Sequence, residues 1–118
     1  MIFKKDTSKQ NEFELIKFRC AKGIYQATGL MFFPKKKYNF ALIFDRDYED
    51  KVNSSIHMCF VFFPIDVLFL NSKKEIVDIK LNLKPFRFYT PRKPAQYVIE
   101  LPCSLKNKQF KINSKIKW

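Results

Sequence analysis

Asp66 is the carboxylate whose setting most invites a chemical reading, because it follows Pro64-Ile65 inside an apolar run. A carboxylate there must be hydrogen-bonded, paired or aimed at solvent, since an unpaired buried charge is very costly. Two roles fit. One is a pocket acid with a raised pKa. The other, the expected one, is a structural acceptor that caps a turn through backbone N–H groups. His57 is the single histidine. In an extended segment it shares a side with Cys59, because side chains repeat every two residues. Two such ligands begin a metal site, but a structural zinc needs four and nothing nearby supplies the rest. A Cys–His nucleophile pair is weaker still, as a thiol in apolar surroundings is not activated. A packed or hydrogen-bonded histidine is therefore expected, with no metal and no cofactor.

The segment Lys84-Pro85-Phe86-Arg87-Phe88-Tyr89-Thr90-Pro91-Arg92-Lys93 interleaves cations with aromatics and holds no acid. Exposed rings such as Phe88 and Tyr89 would stack on unpaired bases while Lys84, Arg87, Arg92 and Lys93 contact phosphates. The competing reading is a proline-stiffened loop whose rings roof the core and whose cations are merely solvated. Lys35-Lys36-Lys37 and the C-terminal lysines Lys106, Lys108, Lys111, Lys115 and Lys117 add to the same field. None of these is a defined nucleic-acid motif. Two glycines leave no room for a dinucleotide fingerprint. One histidine means that most acid–base designs would rest on Asp66 or Glu100 alone.

The elements that must position these residues are mostly short strands. Met1 to Asn11 is polar and expected to be loose. Glu12 to Arg19 reads as a strand with a bulge near Ile16. Ile24, Ala27 and Leu30 sit at helical spacing, which predicts a short helix within Ala21–Leu30, although Gly23 weakens it. Pro34 to Lys37 is a loop, Phe40 to Phe44 a buried strand, and Asp45 to Asn53 a charged loop. Ser55–Phe63 and Ile65–Leu70 read as two strands or one bent strand, with Pro64 marking an edge, bend or start. After a turn at Asn71 to Lys74, Val77, Ile79, Leu81 and Leu83 alternate with Asp78, Lys80 and Asn82. That pattern predicts a half-buried strand with one wet face, paired with Ile65–Leu70 as a hairpin. Lys84 to Pro94 is a loop, Tyr97 to Leu101 a strand, Leu105 to Phe110 a helical turn, and Ile116 to Trp118 a last short strand. The expected fold is mainly β: one domain over residues 1–118, a small β-sandwich or barrel-like domain with one or two short helices.

Composition sets the limits. Of the 118 residues, 47% are hydrophobic and 14 are Phe, enough for one core. With two Gly, turns must use Asn, Asp, Ser and Pro. The net charge of +12 favours polyanions. A coding bias that raises Lys, suggested by the heavy use of Phe, Lys, Ile and Asn, is the expected explanation. Cys20, Cys59 and Cys103 are odd in number and far apart, so reduced thiols are the simplest reading. The N-terminus lacks an apolar signal region, and the longest apolar stretch, Ile56–Leu70, is interrupted and short of the ~20 residues of a spanning helix. A cytoplasmic, membrane-free monomer is expected.

Five runs occur in a telling order: Gly29-Leu30-Met31-Phe32, Phe40-Ala41-Leu42-Ile43-Phe44, Ile56-His57-Met58, Phe63-Pro64-Ile65-Asp66-Val67-Leu68-Phe69-Leu70, and Pro94-Ala95-Gln96-Tyr97-Val98-Ile99-Glu100-Leu101-Pro102. Together they resemble the uncharacterised family "domain of unknown function 192", most of all its archaeal branch. The resemblance implies a compact β-sandwich-like or barrel-like domain and no assigned activity. Bacterial relatives tend to carry Trp-Met-Lys-Asn-Thr where this chain has His57 to Val61, retaining Met58 alone, so no role for that polar set carries over. The family-like constellation of Met58, Asp66 and Tyr97, with His57 and Glu100, points first to a non-enzymatic module that binds a small molecule or a protein in a pocket. The alternatives are a basic protein that associates weakly with nucleic acid, and a hydrolase-like enzyme built on Asp66 and His57.

Overall fold

The computed structural model describes residues 2–6, 16–21, 29–103 and 110–118. Among the described residues nine strands form in chain order: β1 (Ile2–Asp6), β2 (Ile16–Cys20), β3 (Ala41–Asp50), β4 (Ile56–His57), β5 (Ile65–Leu70), β6 (Ile76–Leu83), β7 (Phe88–Tyr89), β8 (Ala95–Pro102) and β9 (Lys115–Lys117). Seven of them make one sheet in the order β6-β5-β8-β3-β2-β1-β9, while β4 and β7 pair separately. Every pairing is antiparallel except β2 with β3. A parallel pair needs a long crossover, and that crossover carries Gly29 to Phe40.

The sheet has a core on each face. Along β5, Ile65, Val67 and Phe69 join one core while Leu68 and Leu70 join the other. The first core also takes Leu30, Tyr38, Phe40, Met58 and Phe63 from the connecting loops. The second closes over Ile76, Phe110 and Ile116. The two ends of the sheet approach one another. Glu75 bridges Lys115, and Ile116 N–H donates to the Lys74 carbonyl at 3.0 Å. No continuous ladder joins β9 to β6, so the sheet curls without closing into a barrel.

The mainly β expectation and the β5–β6 hairpin stand. Asn71 makes the hairpin turn as its residue type suggests: its Oδ1 accepts the N–H groups of Lys73 and Glu75, both at 3.0 Å. Several elements differ from expectation. Residues 2–6 are a strand paired with β2 and β9, not a loose end. The supposed loop after Phe44 continues β3 to Asp50, with an irregularity between Asp45 and Asp50 and a left-handed Asp47 at φ 70°. Within Ser55–Phe63 only Ile56–His57 is strand, because a turn follows at once. On β6 the wet face is not where alternation puts it: Asp78 is buried and Leu81 is exposed. A bulge sets Val77 and Asp78 against one stretch of β5, where Leu70 pairs with Ile76 and Phe69 with Asp78, and so shifts the face from Asp78 to Lys80; a second irregularity, between the Val67–Lys80 and Ile65–Leu83 pairs, returns Leu83 to the first core. The sole helical element among the described residues is a three-residue 3-10 turn, Lys35–Lys37, in the expected loop. The helix expected in Ala21–Leu30, the helical turn at Leu105–Phe110 and the start of the Glu12–Arg19 strand fall largely outside the described residues.

Candidate functional site

Three β-turns meet at one place on the loop-covered face. Phe33 N–H donates to the Leu30 carbonyl (3.0 Å), Val61 N–H to Met58 (3.2 Å) and Arg87 N–H to Lys84 (3.3 Å). The turns are clasped together: Phe32 N–H reaches the Phe60 carbonyl at 2.8 Å, Phe86 N–H the Met58 carbonyl at 2.8 Å, and Met58 N–H the Arg87 carbonyl at 2.7 Å. The third position of each turn is a phenylalanine with positive φ: Phe32 at 59°, Phe60 at 57° and Phe86 at 62°. A type II turn reserves that position for Gly or Asn. A bulky residue there is an outlier, at a cost of roughly 1–2 kcal/mol each. The sequence helps in one turn, where Pro85 sets the position before Phe86.

The strained backbone brings rings together at the surface. Phe32 stacks on Phe60 with centroids 5.0 Å apart and planes inclined by 20°. Phe62 meets Phe32 at 6.2 Å and Phe86 at 5.7 Å, and Phe60 meets Phe86 at 6.1 Å, which closes a ring of four. The four side chains remain 46–67% exposed. Exposed Lys84 and Arg87 bracket Phe86 in its turn, and the exposed Lys35–Lys37 turn follows Phe32 and Phe33. Each aromatic pair returns about 0.5–1.5 kcal/mol. Rings needed only for stability would gain more from burial, so an exposed aromatic patch held by strained turns reads as a contact surface.

A second feature lies deeper. A cleft of about 310 Å³ is lined by Lys35, Tyr38, Phe63, Pro64, Pro102 and Cys103. Behind it Glu100 on β8 pairs with Leu42 and Val67 and is buried. Burial pushes its carboxyl up to about 8 against the opposing pull of Arg46. Glu100 Oε2 and the Tyr38 hydroxyl have no hydrogen-bond partner among the described residues. Burial, reinforced by Glu100, holds the Tyr38 phenol well above its ordinary range. Gly29 closes over the carboxylate: a Cβ there would lie 3.8 Å from both Glu100 oxygens and 3.1 Å from Phe44 Cζ.

The residues singled out by sequence do not line one pocket. Met58 is fully buried in the first core, and Glu100 faces the same side. Tyr97 packs against the second core, edge-on to Trp118 at 5.0 Å. Asp66 is a structural acceptor: its Oδ1 takes Asn82 N–H at 2.8 Å and the Cys103 thiol at 3.3 Å. Burial first, then the contact with Asp66, pushes that thiol up to about 12, which leaves it protonated and inert. His57 is exposed on β4 opposite Phe88, while Cys59 lies in the following turn, not on the strand. Among the described residues no group of three or more His, Cys, Asp and Glu could hold a metal.

The basic loop divides in two. Tyr89 and Arg92 are claimed by buried Asp78, whose Oδ2 accepts the Tyr89 hydroxyl at 2.6 Å and Arg92 N–H at 3.0 Å. Arg92 Nε stands 3.8 Å from Asp78 Oδ1. Lys84, Arg87, Phe88 and Lys93 remain exposed, and so does most of the Arg92 side chain. The rings Phe32, Phe60, Phe62 and Phe86 were not distinguishable by type from the other phenylalanines. Of the four, Phe86 alone stands beside a proline, Pro85, whose turn chemistry is the one local signal available.

Comparison with known proteins finds relatives by sequence and by fold. The family DUF192 (domain of unknown function 192), described as "Uncharacterized ACR", matches residues 3–118. A UPF0127 protein of Pyrococcus furiosus is 41% identical over 96 residues, 80% of this chain and 79% of its own. A UPF0127 protein of Pyrococcus horikoshii is 44% identical over 96 residues, 80% of each chain. Among solved structures, a protein of unknown function from Novosphingobium aromaticivorans superposes with a TM-score of 0.82 at 21% identity, over 99% of this chain and 84% of its own. A putative transcription regulator from Sinorhizobium meliloti gives a TM-score of 0.82 at 19% identity, over 98% and 92%. These two structures share the fold; at such identity they carry no function across.

Proposed function

The chain belongs to the DUF192 family, which is itself uncharacterised, and from its own surface we propose that it is a non-catalytic binding module whose working surface is the four-ring aromatic platform. One observation carries this reading. Three phenylalanines occupy left-handed turn positions, at φ 57–62°, and their rings stay exposed. Conformational strain at an exposed site is kept where the surface is used. No described helix is long and apolar enough to cross a membrane.

The test is the variant Phe32→Gly/Phe60→Gly/Phe86→Gly. Glycine relieves the strain, offsetting the lost half-burial of each ring, so the variant is expected to unfold within about 2 kcal/mol of the parent. A ligand panel read by thermal shift should then separate the two proteins, since a ligand of the native state raises its apparent stability. Compounds that stabilise the parent should leave the variant unmoved. A ligand that stabilises both equally removes the platform from the function; if the triple variant collapses, Phe62→Ser takes its place in the same comparison.

A second reading concerns a small ligand in the cleft beside Tyr38 and Lys35. The Tyr38 hydroxyl and Glu100 Oε2, without a partner among the described residues, favour it, because buried polar groups ordinarily find partners. Tyr38→Phe should abolish stabilisation by such a ligand and leave the platform's ligands unaffected.

A further inference from the structure

We propose that the platform is a stacking surface for single-stranded nucleic acid, a choice of partner that rests on the platform being the working surface. Charge narrows the occupant first. The stretches 29–44, 51–65 and 79–99, which supply all four rings, contain no Asp or Glu. Exposed Lys35, Lys36 and Lys37 follow Phe32 in the chain, and exposed Lys84 and Arg87 flank Phe86. Two such surfaces repel one another, so a second copy of this chain is disfavoured and a polyanion favoured. The kind of cation narrows it further. Protein interfaces are enriched in Arg and depleted in Lys, whereas these cations are mostly Lys, which serves as a point charge for phosphate.

The rings then select unpaired bases. Their centroids are spaced 5.0–6.2 Å apart and their planes lean at different angles. The side chains tile one another yet stay about half open, offering faces and edges on a paved surface, not apolar tips projecting separately toward a bilayer. A base stacks on such a ring whatever its identity, so binding is tolerant of sequence. A duplex hides its base faces and cannot use the platform.

The experiment titrates the full chain into a labelled ~16-nucleotide oligothymidine and an oligouridine of the same length, with a duplex of equal length, inorganic polyphosphate as competitor, and phosphatidylserine–phosphatidylcholine vesicles as parallel arms. Both single strands should bind at about 50 mM salt, with affinity falling linearly in log–log salt plots. They should bind at least about tenfold tighter than the duplex. Phe32→Gly/Phe60→Gly/Phe86→Gly should weaken strand binding by about tenfold or more with the salt slope unchanged. Lys84→Gln/Arg87→Gln should instead reduce the slope by roughly 1.4. If the triple variant fails to fold, Phe62→Ser reads the same ring loss on a residue without left-handed backbone. Absence of strand binding at low salt overturns the proposal. So does equal binding of duplex, strand and polyphosphate. Vesicle binding without strand binding overturns the strand but leaves the platform as the working surface. Strand binding that ignores the ring variants overturns both.

Discussion

Glu100 holds a carboxylic acid in the sheet, facing Gly29 across a gap that a single Cβ would fill. Its ordinary value of 4.5 rises to about 8 on burial. The folded protein therefore keeps a proton that the unfolded chain releases. Between those values the unfolded state binds fewer protons, so stability falls as pH rises from about 4.5 to about 8 and levels off beyond. At roughly 1.4 kcal/mol per unit, the loss amounts to a few kcal/mol. Glu100→Gln should flatten this dependence and be more stable than the parent at pH 9, measured by urea midpoints. A parent profile that is flat across this range would contradict the account. Asp78 is the opposite case, a buried carboxylate with its donors in place. Asp78→Ala strands the Tyr89 hydroxyl and the Ile79 and Arg92 N–H groups. It should cost about 3 kcal/mol or more, against about 1–2 kcal/mol for Tyr89→Phe, which removes one bond.

At the scale of elements, the turns govern the surface. Gly29 has φ 49°, and a methyl there meets Phe44 Cζ at 3.1 Å. Gly29→Ala should lose about 1–2 kcal/mol, seen as a lower denaturant midpoint with an unchanged slope. Two irregularities on β6 explain why strict alternation misplaced Asp78 and Leu81: an extra residue opposite Phe69–Leu70 reverses the facing, and another opposite Ile65–Val67 restores it by Leu83. The strand β3 runs on through charged residues because β8 pairs with it again at Asp50–Ala95. Charge alone does not end a strand that still has a partner.

At the scale of the molecule, β5 and β8 each have a strand on either side in the sheet and are packed on both faces. Amides of Val67, Leu68, Val98 and Ile99 should be the slowest to exchange with deuterium, opening only with global unfolding. Those of β4 and β7, a two-stranded pair beside the loops, should exchange far sooner. Phe69→Ala, which empties a fully buried site in the first core, should cost about 3–5 kcal/mol by chemical denaturation. Faster exchange at Leu68 than at His57 would contradict this layering.

The alternating and continuous apolar runs by themselves determined a mainly β chain, the hairpin of Ile65–Leu70 with Ile76–Leu83, and the turn at Asn71. The order of motifs also determined the family. These are local properties, fixed by side-chain period and turn chemistry within a few residues. Tertiary structure alone decided which rings stay outside. Phe60 and Phe63 are three residues apart and alike in type, yet one is exposed and the other buried. The difference lies in a left-handed turn clasped by hydrogen bonds to Phe32 and Phe86. No local propensity favours a phenylalanine in that conformation. It exists because distant segments hold it there, and the surface it builds is visible only once they meet.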